Sequence, residues 1–213
     1  MAIQQTIGMN VAVASTYGPS VNMTALTNAT QAVATLAVGH AVVAGDILEI
    51  TSGWQNMPQV VRVVTVATND VTLEGVNTVS LTAFPAGAGA GTVRRITAWQ
   101  TVGGVVSVSE SGGEPQYFDT TVAADLVQQQ ARARDSVRTI TCQMQAGPAF
   151  AGQALLQTLT ASRAPTACRF VLQSGARRML NGEIHYAANR IGETHLEGTW
   201  SISVRGEPIF YAT

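Results

Sequence analysis

The sequence predicts a mainly β protein with one principal α-helix, an α+β chain of the β-sandwich or barrel kind carrying a small inserted β-barrel. Three observations lead there. Short Val- and Thr-rich runs alternate apolar and polar residues through the 213-residue chain, which sends successive side chains to opposite faces as a strand requires. Gly, Pro, Asn and Asp separate these runs at intervals of roughly ten residues, the spacing of a small barrel or sandwich. A single stretch, near 148–163, has helical spacing instead.

Residues 1–26 read as an N-terminal arm and strand, with a turn at Tyr17-Gly18-Pro19-Ser20. Residues 27–95 read as the inserted small β domain, SH3-like or similar. Its expected strands are 36–38, 41–43, 47–51, 59–66 and 71–73, separated by Ala44-Gly45-Asp46, Ser52-Gly53-Trp54 and Thr68-Asn69-Asp70. The Gly/Ala-rich run 83–91 reads as a structureless loop or a seam between domains. Residues 96–213 form the main domain. An alternating strand is expected before Gly112, with Val106 and Val108 on one face and Ser107 and Ser109 on the other, and further strands at 137–145, 167–172, 182–187 and 197–205. In the helix, Pro148 suits the first turn, and Ala151, Leu155 and Leu159 make one apolar stripe. Arg163 suits the C-terminal end of the dipole, and Pro165 stops extension. Gly112 and Gly113 break the strand before them, and 119–135 is a loop long enough to be functional or disordered.

Composition excludes several classes. Charged residues are 12% of the chain and the net charge is −1, so the basic footprint of a nucleic-acid reader is absent. All twelve basic residues are Arg; Arg suits bidentate interface pairs, and a GC-rich genome accounts for the same usage. Residues 1–45 contain no Asp, Glu, Lys or Arg. A solitary domain spreads mixed charge over its surface, and disordered chains carry high net charge. This run is therefore expected to be covered, by its own fold or by a neighbour. Cys142 and Cys168 match no zinc spacing and read as buried free thiols. The N-terminus lacks the pattern of a secretory leader and no run is long enough to span a membrane, so the expected protein is soluble, made in a reducing cytoplasm.

No catalytic constellation is present, and the chain reads as a non-enzyme without cofactor or metal. His185 and His195 lack a third ligand at diagnostic spacing, and His40 stands alone. The run Ser107-Val108-Ser109-Glu110-Ser111-Gly112-Gly113 makes no nucleophile elbow, and neither glycine-rich stretch is followed by the Gly-Lys-Ser/Thr of a phosphate loop. What the chain offers instead is polar, uncharged strand faces. Thr139, Thr141, Gln143 and Gln145 share one face, with Ile140, Cys142 and Met144 on the other. Ser201 and Ser203 alternate likewise with Trp200, Ile202 and Val204. A solvated face of a half-buried antiparallel sheet has this pattern. So does the wall of a water-filled channel for DNA, where groups that neither pair with phosphate nor bind bases are wanted.

Two blocks resemble the major tail tube proteins of long-tailed (siphovirus-type) bacteriophages, in the variety with an added small β domain. One runs from Ala44-Gly45-Asp46-Ile47-Leu48-Glu49-Ile50-Thr51-Ser52-Gly53-Trp54 through Val71-Thr72-Leu73-Glu74-Gly75-Val76-Asn77-Thr78. The other runs from Arg94-Arg95-Ile96-Thr97-Ala98-Trp99 through Ser111-Gly112-Gly113-Glu114-Pro115-Gln116-Tyr117-Phe118. The C-terminal half, ending Gly206-Glu207-Pro208-Ile209-Phe210-Tyr211, is similar to the same family.

The resemblance implies a tail-tube-type fold whose copies form hexameric rings that stack into a tube, a conduit for DNA ejection. It implies a place in the virion tail after assembly in the bacterial host cytoplasm. Expected partners are other copies of the chain, tail tip, tape-measure and terminator proteins, and passing double-stranded DNA without specific binding; no membrane is involved. The polar faces above become lumen-lining candidates. Ile3, Thr6, Asp119, Leu126, Gln128, Arg132 and Arg134 become candidates for contacts between subunits or rings. Two rival readings remain: another ring-forming tail component (a terminator or distal ring), and a surface- or glycan-binding β module using Trp54 and Trp99 as surface aromatics, for which packing in the core is the competing role.

Overall fold

The computed structural model describes residues 8–122, 126–147, 150–191 (backbone alone over 188–191) and 196–212. The described chain is mostly strand with a single helix. In order it runs β1 (Asn10–Tyr17), β2 (Val21–Leu26), β3 (Val33–Leu36), β4 (Ile47–Ser52), β5 (Val60–Ala67), β6 (Asp70–Leu73), β7 (Gly91–Thr101), β8 (Val105–Ser111), β9 (Pro115–Asp119), β10 (Gln130–Asp135) and β11 (Thr139–Gln145). The helix α1 (Gln153–Ser162) follows, then β12 (Thr166–Val171), β13 (Arg177–Ile191) and β14 (Leu196–Tyr211).

The first part closes on itself. Strands pair in the order β2-β3-β6-β5-β4-β7, and β7 returns to β2, giving a six-stranded barrel with no free edge. Alternation decides its contents: Met23, Leu36, Leu48, Ile50, Val61, Val63, Val71 and Leu73 point inward and are buried. Strand β7 belongs to both halves. Its first residues pair with β2 and β4, and Ile96 onward pairs with β1. Gly91 opens β7 where any Cβ would collide with the Thr51 carbonyl oxygen, so a side chain is excluded at this barrel corner.

From β7 the sheet continues as β1-β12-β13-β14-β11-β8, antiparallel throughout. It folds over a second core built on Val11, Val13, Cys168 and Phe170 from one side and Ile140, Cys142, Trp200 and Ile202 from the other. The Phe170 and Trp200 rings stack at 6.5 Å and 9°. Burial pushes the Cys142 thiol up to about 12 and raises that of Cys168 as well, so both are free, buried and unreactive.

Two tyrosines tie barrel to sheet in the same way. The Tyr17 hydroxyl accepts the Ala167 N–H at 3.1 Å, while Arg94 lies 4.0 Å from the ring centroid and donates to the buried Glu49 at 2.7 Å. The Tyr211 hydroxyl accepts the Arg62 N–H at 2.8 Å, while Arg62 lies 4.8 Å from its ring and is paired with Glu74. Each clamp combines a cation–π contact with an ion pair.

Several local expectations are corrected. Residues 36–38 and 41–43 are not strands; β3 ends at Leu36, and Val38 and Val43 are exposed in the connection to β4. Their β-branched composition misled because no neighbouring strand is there to pair with. The run 83–91 is not structureless: it turns on Phe84 N–H to Ser80 O (2.8 Å) and Ala88 N–H to Pro85 O (3.2 Å) and ends as the start of β7. The helix begins at Gln153, behind Gly152 at φ 83°, and Pro148 lies outside the described residues. Its buried residues are Gln153 and Leu156; Ala151 is exposed and Leu155 only half-buried. The buried face thus centres on Gln153 and Leu156, and of the three expected positions Leu159 alone packs, partly buried, against the second core.

Candidate functional site

The most distinctive surface is one face of the four strands β13-β14-β11-β8. The register lines up its side chains in rows across the sheet. One row is Glu183, Ser203, Thr139, Ser111; the next is His185, Ser201, Thr141, Ser109; the third is Ala187, Thr199, Gln143, Ser107. Gln145 opposite Glu197 continues the face. These positions arise from period-2 alternation against a core that takes every other residue. All six lumen-lining candidates, Thr139, Thr141, Gln143, Gln145, Ser201 and Ser203, therefore fall on one continuous surface. Sequence reading had grouped them as two separate strands. The register adds Ser107, Ser109 and Ser111 from β8, whose alternation was legible but whose neighbour was not.

The face is polar without strong charge. The Thr199 hydroxyl donates to Gln143 Oε1 at 2.8 Å, and Glu183 is neutralised by Arg205. Glu110 points to the other side, where Arg178 grips it with two bonds of 2.6 and 2.7 Å and holds its carboxyl below the usual carboxylate range. Ser and Thr hydroxyls and Gln amides both donate and accept, so such a wall binds water everywhere and no anion in particular. Among the described residues no group of three His, Cys, Asp or Glu could hold a metal ion, and no helix is long and apolar enough to cross a membrane. His195 lies outside the described residues.

The back of this sheet is braced by α1. Leu156 is fully buried in the second core. Gln153, 6% exposed, uses its whole amide: Oε1 accepts from Gly147 N–H (3.0 Å) and the Tyr186 hydroxyl (3.2 Å), and Nε2 donates to Gln145 O (2.7 Å). A buried amide satisfied this fully fixes the end of β11 against β13. Nothing in the sequence flagged Gln153; a Gln between Gly152 and Ala154 reads as a solvent position.

Two strand edges flank the polar face. β8 is the last strand of the sheet, so its outer side has no partner strand among the described residues. On the far side, β12 covers only Arg177 to Gly182 of β13. Beyond that point the Tyr186 N–H is taken by the Thr160 hydroxyl of α1 at 2.8 Å.

The stretch 119–135, expected as a loop, is in part strand: its end forms β10, paired with β9 before it, while residues 123–125 lie outside the described residues. β10 pairs with β9 (Ala131 with Phe118, Arg132 with Tyr117). The pair projects from the β8–β11 hairpin through Gly112 and Gly113, both at positive φ (83° and 82°). Asp119 sits in a tight turn, accepting the Thr121 N–H at 2.8 Å and the Gln128 amide at 3.1 Å. Arg132 pairs with Asp135 at 2.5 Å. Leu126, fully exposed, and Arg134 lie on the same hairpin. Ile3 and Thr6 lie outside the described residues.

Trp54 is not a surface aromatic. It is 3% exposed, packed edge-on to Phe84 at 5.4 Å, with its indole N–H donating to Pro85 O at 2.9 Å. Trp99 is half-buried, with the Arg169 guanidinium 4.7 Å from its ring centroid. Trp54 therefore has no open ring face for a sugar, and one face of Trp99 is covered by Arg169.

A family model described as phage tail tube protein, TTP, matches residues 52–213. No curated protein gives a match to the chain.

Proposed function

The chain belongs to the phage tail tube protein family, whose members are structural components of the virion tail, and from that premise we propose that its copies close into hexameric rings that stack into a conduit for DNA ejection. The observation that carries the proposal is the continuous Ser/Thr/Gln face of β13-β14-β11-β8, flanked by the open edge of β8. A sheet with an unpaired terminal strand is a template for another strand. The directions alternate along the sheet, so the stretch of β13 that β12 and the Tyr186–Thr160 bond leave uncovered, placed in a neighbouring copy against β8, continues the antiparallel order. Repetition of that heterologous contact around a rotation axis closes a ring and removes every edge. The lumen is then lined by hydroxyls and amides, which let DNA phosphates pass without a binding site.

In this reading the closed barrel is the inserted unit and faces outward, held rigidly by the Tyr17 and Tyr211 clamps. The 119–135 stretch and the N-terminal arm make contacts between subunits and rings. Partners are further copies of the chain together with tail tip, tape-measure and terminator proteins. The structural role leaves no place for turnover. Purified protein viewed by negative-stain electron microscopy over a range of concentrations tests this. Hollow six-membered rings or tubes are expected; discrete monomers at every concentration, with and without the tail tip proteins, overturn the proposal.

A further inference from the structure

We propose that Arg169 and Arg177 form a binding site for a phosphate dianion on the outer surface of the sheet beside the barrel. The site stands apart from the rows of the polar face and does not depend on how copies assemble. Strand pairing brings its two cations together. Arg169 on β12 lies opposite Met179 of β13, and Val171 lies opposite Arg177. The two arginines are therefore diagonal neighbours on one face, roughly 7–8 Å apart at the backbone, and side chains of this length reach a common ligand across that gap. Alternation decides which face it is. Cys168 and Phe170 take the second core, so Arg169 and Val171 point the other way.

Nothing of opposite sign answers them. The strand segments that make this surface, 10–17, 96–101, 166–171 and 177–182, contain no Asp or Glu. The six ion pairs among the described residues use Arg62, Arg94, Arg95, Arg132, Arg178 and Arg205. Arg178 lies next to Arg177 in sequence, but it points to the opposite face, where Glu110 holds it. Arg169 and Arg177 make no side-chain hydrogen bond among the described residues, and the Arg169 Nε is buried without a partner. Burial, and after it the charge of Arg177, hold the Arg169 guanidinium below the usual arginine value. Like charges at neighbouring sheet positions destabilise the fold, and an anion between them removes that cost.

The chemistry selects the anion. The Arg169 guanidinium lies 4.7 Å from the Trp99 ring centroid, which fixes the plane of its fork before a ligand arrives. Its Nε is covered, so the terminal nitrogens are what it offers. Arg177 is exposed and swings onto the same ligand. A carboxylate neutralises one of the two charges; a phosphate dianion neutralises both and accepts paired N–H bonds from each fork. The exposed neighbours Asn10, opposite Val171, and Thr101, opposite Ala12, are neutral and do not compete for it.

Thermal melts of the purified chain test the site, with inorganic phosphate at mildly alkaline pH compared with chloride at matched ionic strength. At several times its dissociation constant, phosphate is expected to raise the melting temperature by about 2–4 °C more than chloride does. Arg169→Gln is expected to remove this rise. Arg177→Gln, at an exposed position outside both cores, is expected to remove at least half of it and keeps the test valid where loss of Arg169 disturbs folding. Arg163→Gln changes an exposed arginine elsewhere and is expected to leave it intact. A short DNA duplex at the same phosphate concentration separates the two sources of phosphate; each diester has one charge, and no rise is expected. Equal melting in phosphate and chloride, a full rise in Arg177→Gln, or a rise with the duplex alone overturns the assignment.

Discussion

The position of α1 gives a sharp prediction, because leucine spacing and structure disagree on which residue is buried. Leu156 is 0% exposed in a core with Trp200 and Ile202, whereas Leu155 is only half-buried. Leu156→Ala deletes a buried isobutyl group and leaves a cavity behind the polar sheet, a loss of about 3 kcal/mol. Leu155→Ala removes a half-covered side chain, a loss of about 1 kcal/mol. Helix propensity changes equally in both and cancels in the comparison. For a chain of this size each kcal/mol moves the melting temperature by about 2–4 °C, so Leu156→Ala is expected to melt about 4–8 °C below Leu155→Ala in scanning calorimetry. Equal midpoints, or the opposite order, would mean that the helix is rotated and that the stripe read from 151, 155 and 159 is the buried one.

Three further predictions concern the hairpin base, an ion pair and the thiols. Gly112→Ala forces a side chain at φ 83° into the Val137 carbonyl oxygen; it is expected to loosen β9–β10, seen as faster hydrogen exchange there with the core protected as before, and exchange unchanged at the hairpin would refute the hinge. Glu110 has a folded-state pKa depressed by Arg178, so its contribution is full above the unfolded carboxylate value of about 4.3 and fades as pH falls through the folded one. Glu110→Gln is accordingly expected to cost about 1 kcal/mol at pH 7, discounted for partial exposure, and to converge on the unsubstituted chain as pH falls through the depressed folded value; a gap that stays constant in urea melts as the pH is lowered counts against the pair. Cys142 and Cys168 are expected to resist a thiol reagent until the protein unfolds, and prompt labelling of either would contradict the second core.

The sequence was most informative where two-residue alternation met an obvious turn. The pattern from Val60 to Leu73, with its break at Thr68 and Asn69, predicted β5 and β6 within a residue. The polar alternation of 139–145 was equally plain. What could not be read was pairing. Which strand lies beside β11 depends on contacts far along the chain, so Ser109, Thr141, Ser201 and His185 form one row that no local pattern reveals. Val38 and Val43 look like strand residues and are exposed because β-propensity is only realised beside a partner strand. Trp54 allows both a surface and a core role on sequence alone, and the structure gives the core: Phe84, Pro85 and Gly89 close over it from a segment whose composition reads as empty loop. The β9–β10 hairpin was hidden because β9 is short and opens on a proline, and β10 reads Gln-Ala-Arg-Ala-Arg-Asp with no β-branched residue.

A reconstruction of the assembled particle by cryo-electron microscopy tests the central claim most directly. The account predicts six copies per ring, a continuous antiparallel wall in which β8 of one copy meets β13 of the next, and Thr141, Gln143 and Ser201 facing the channel. A ring whose lumen is lined by the β2–β7 barrel or by α1, with the Ser/Thr/Gln face outside, would contradict it.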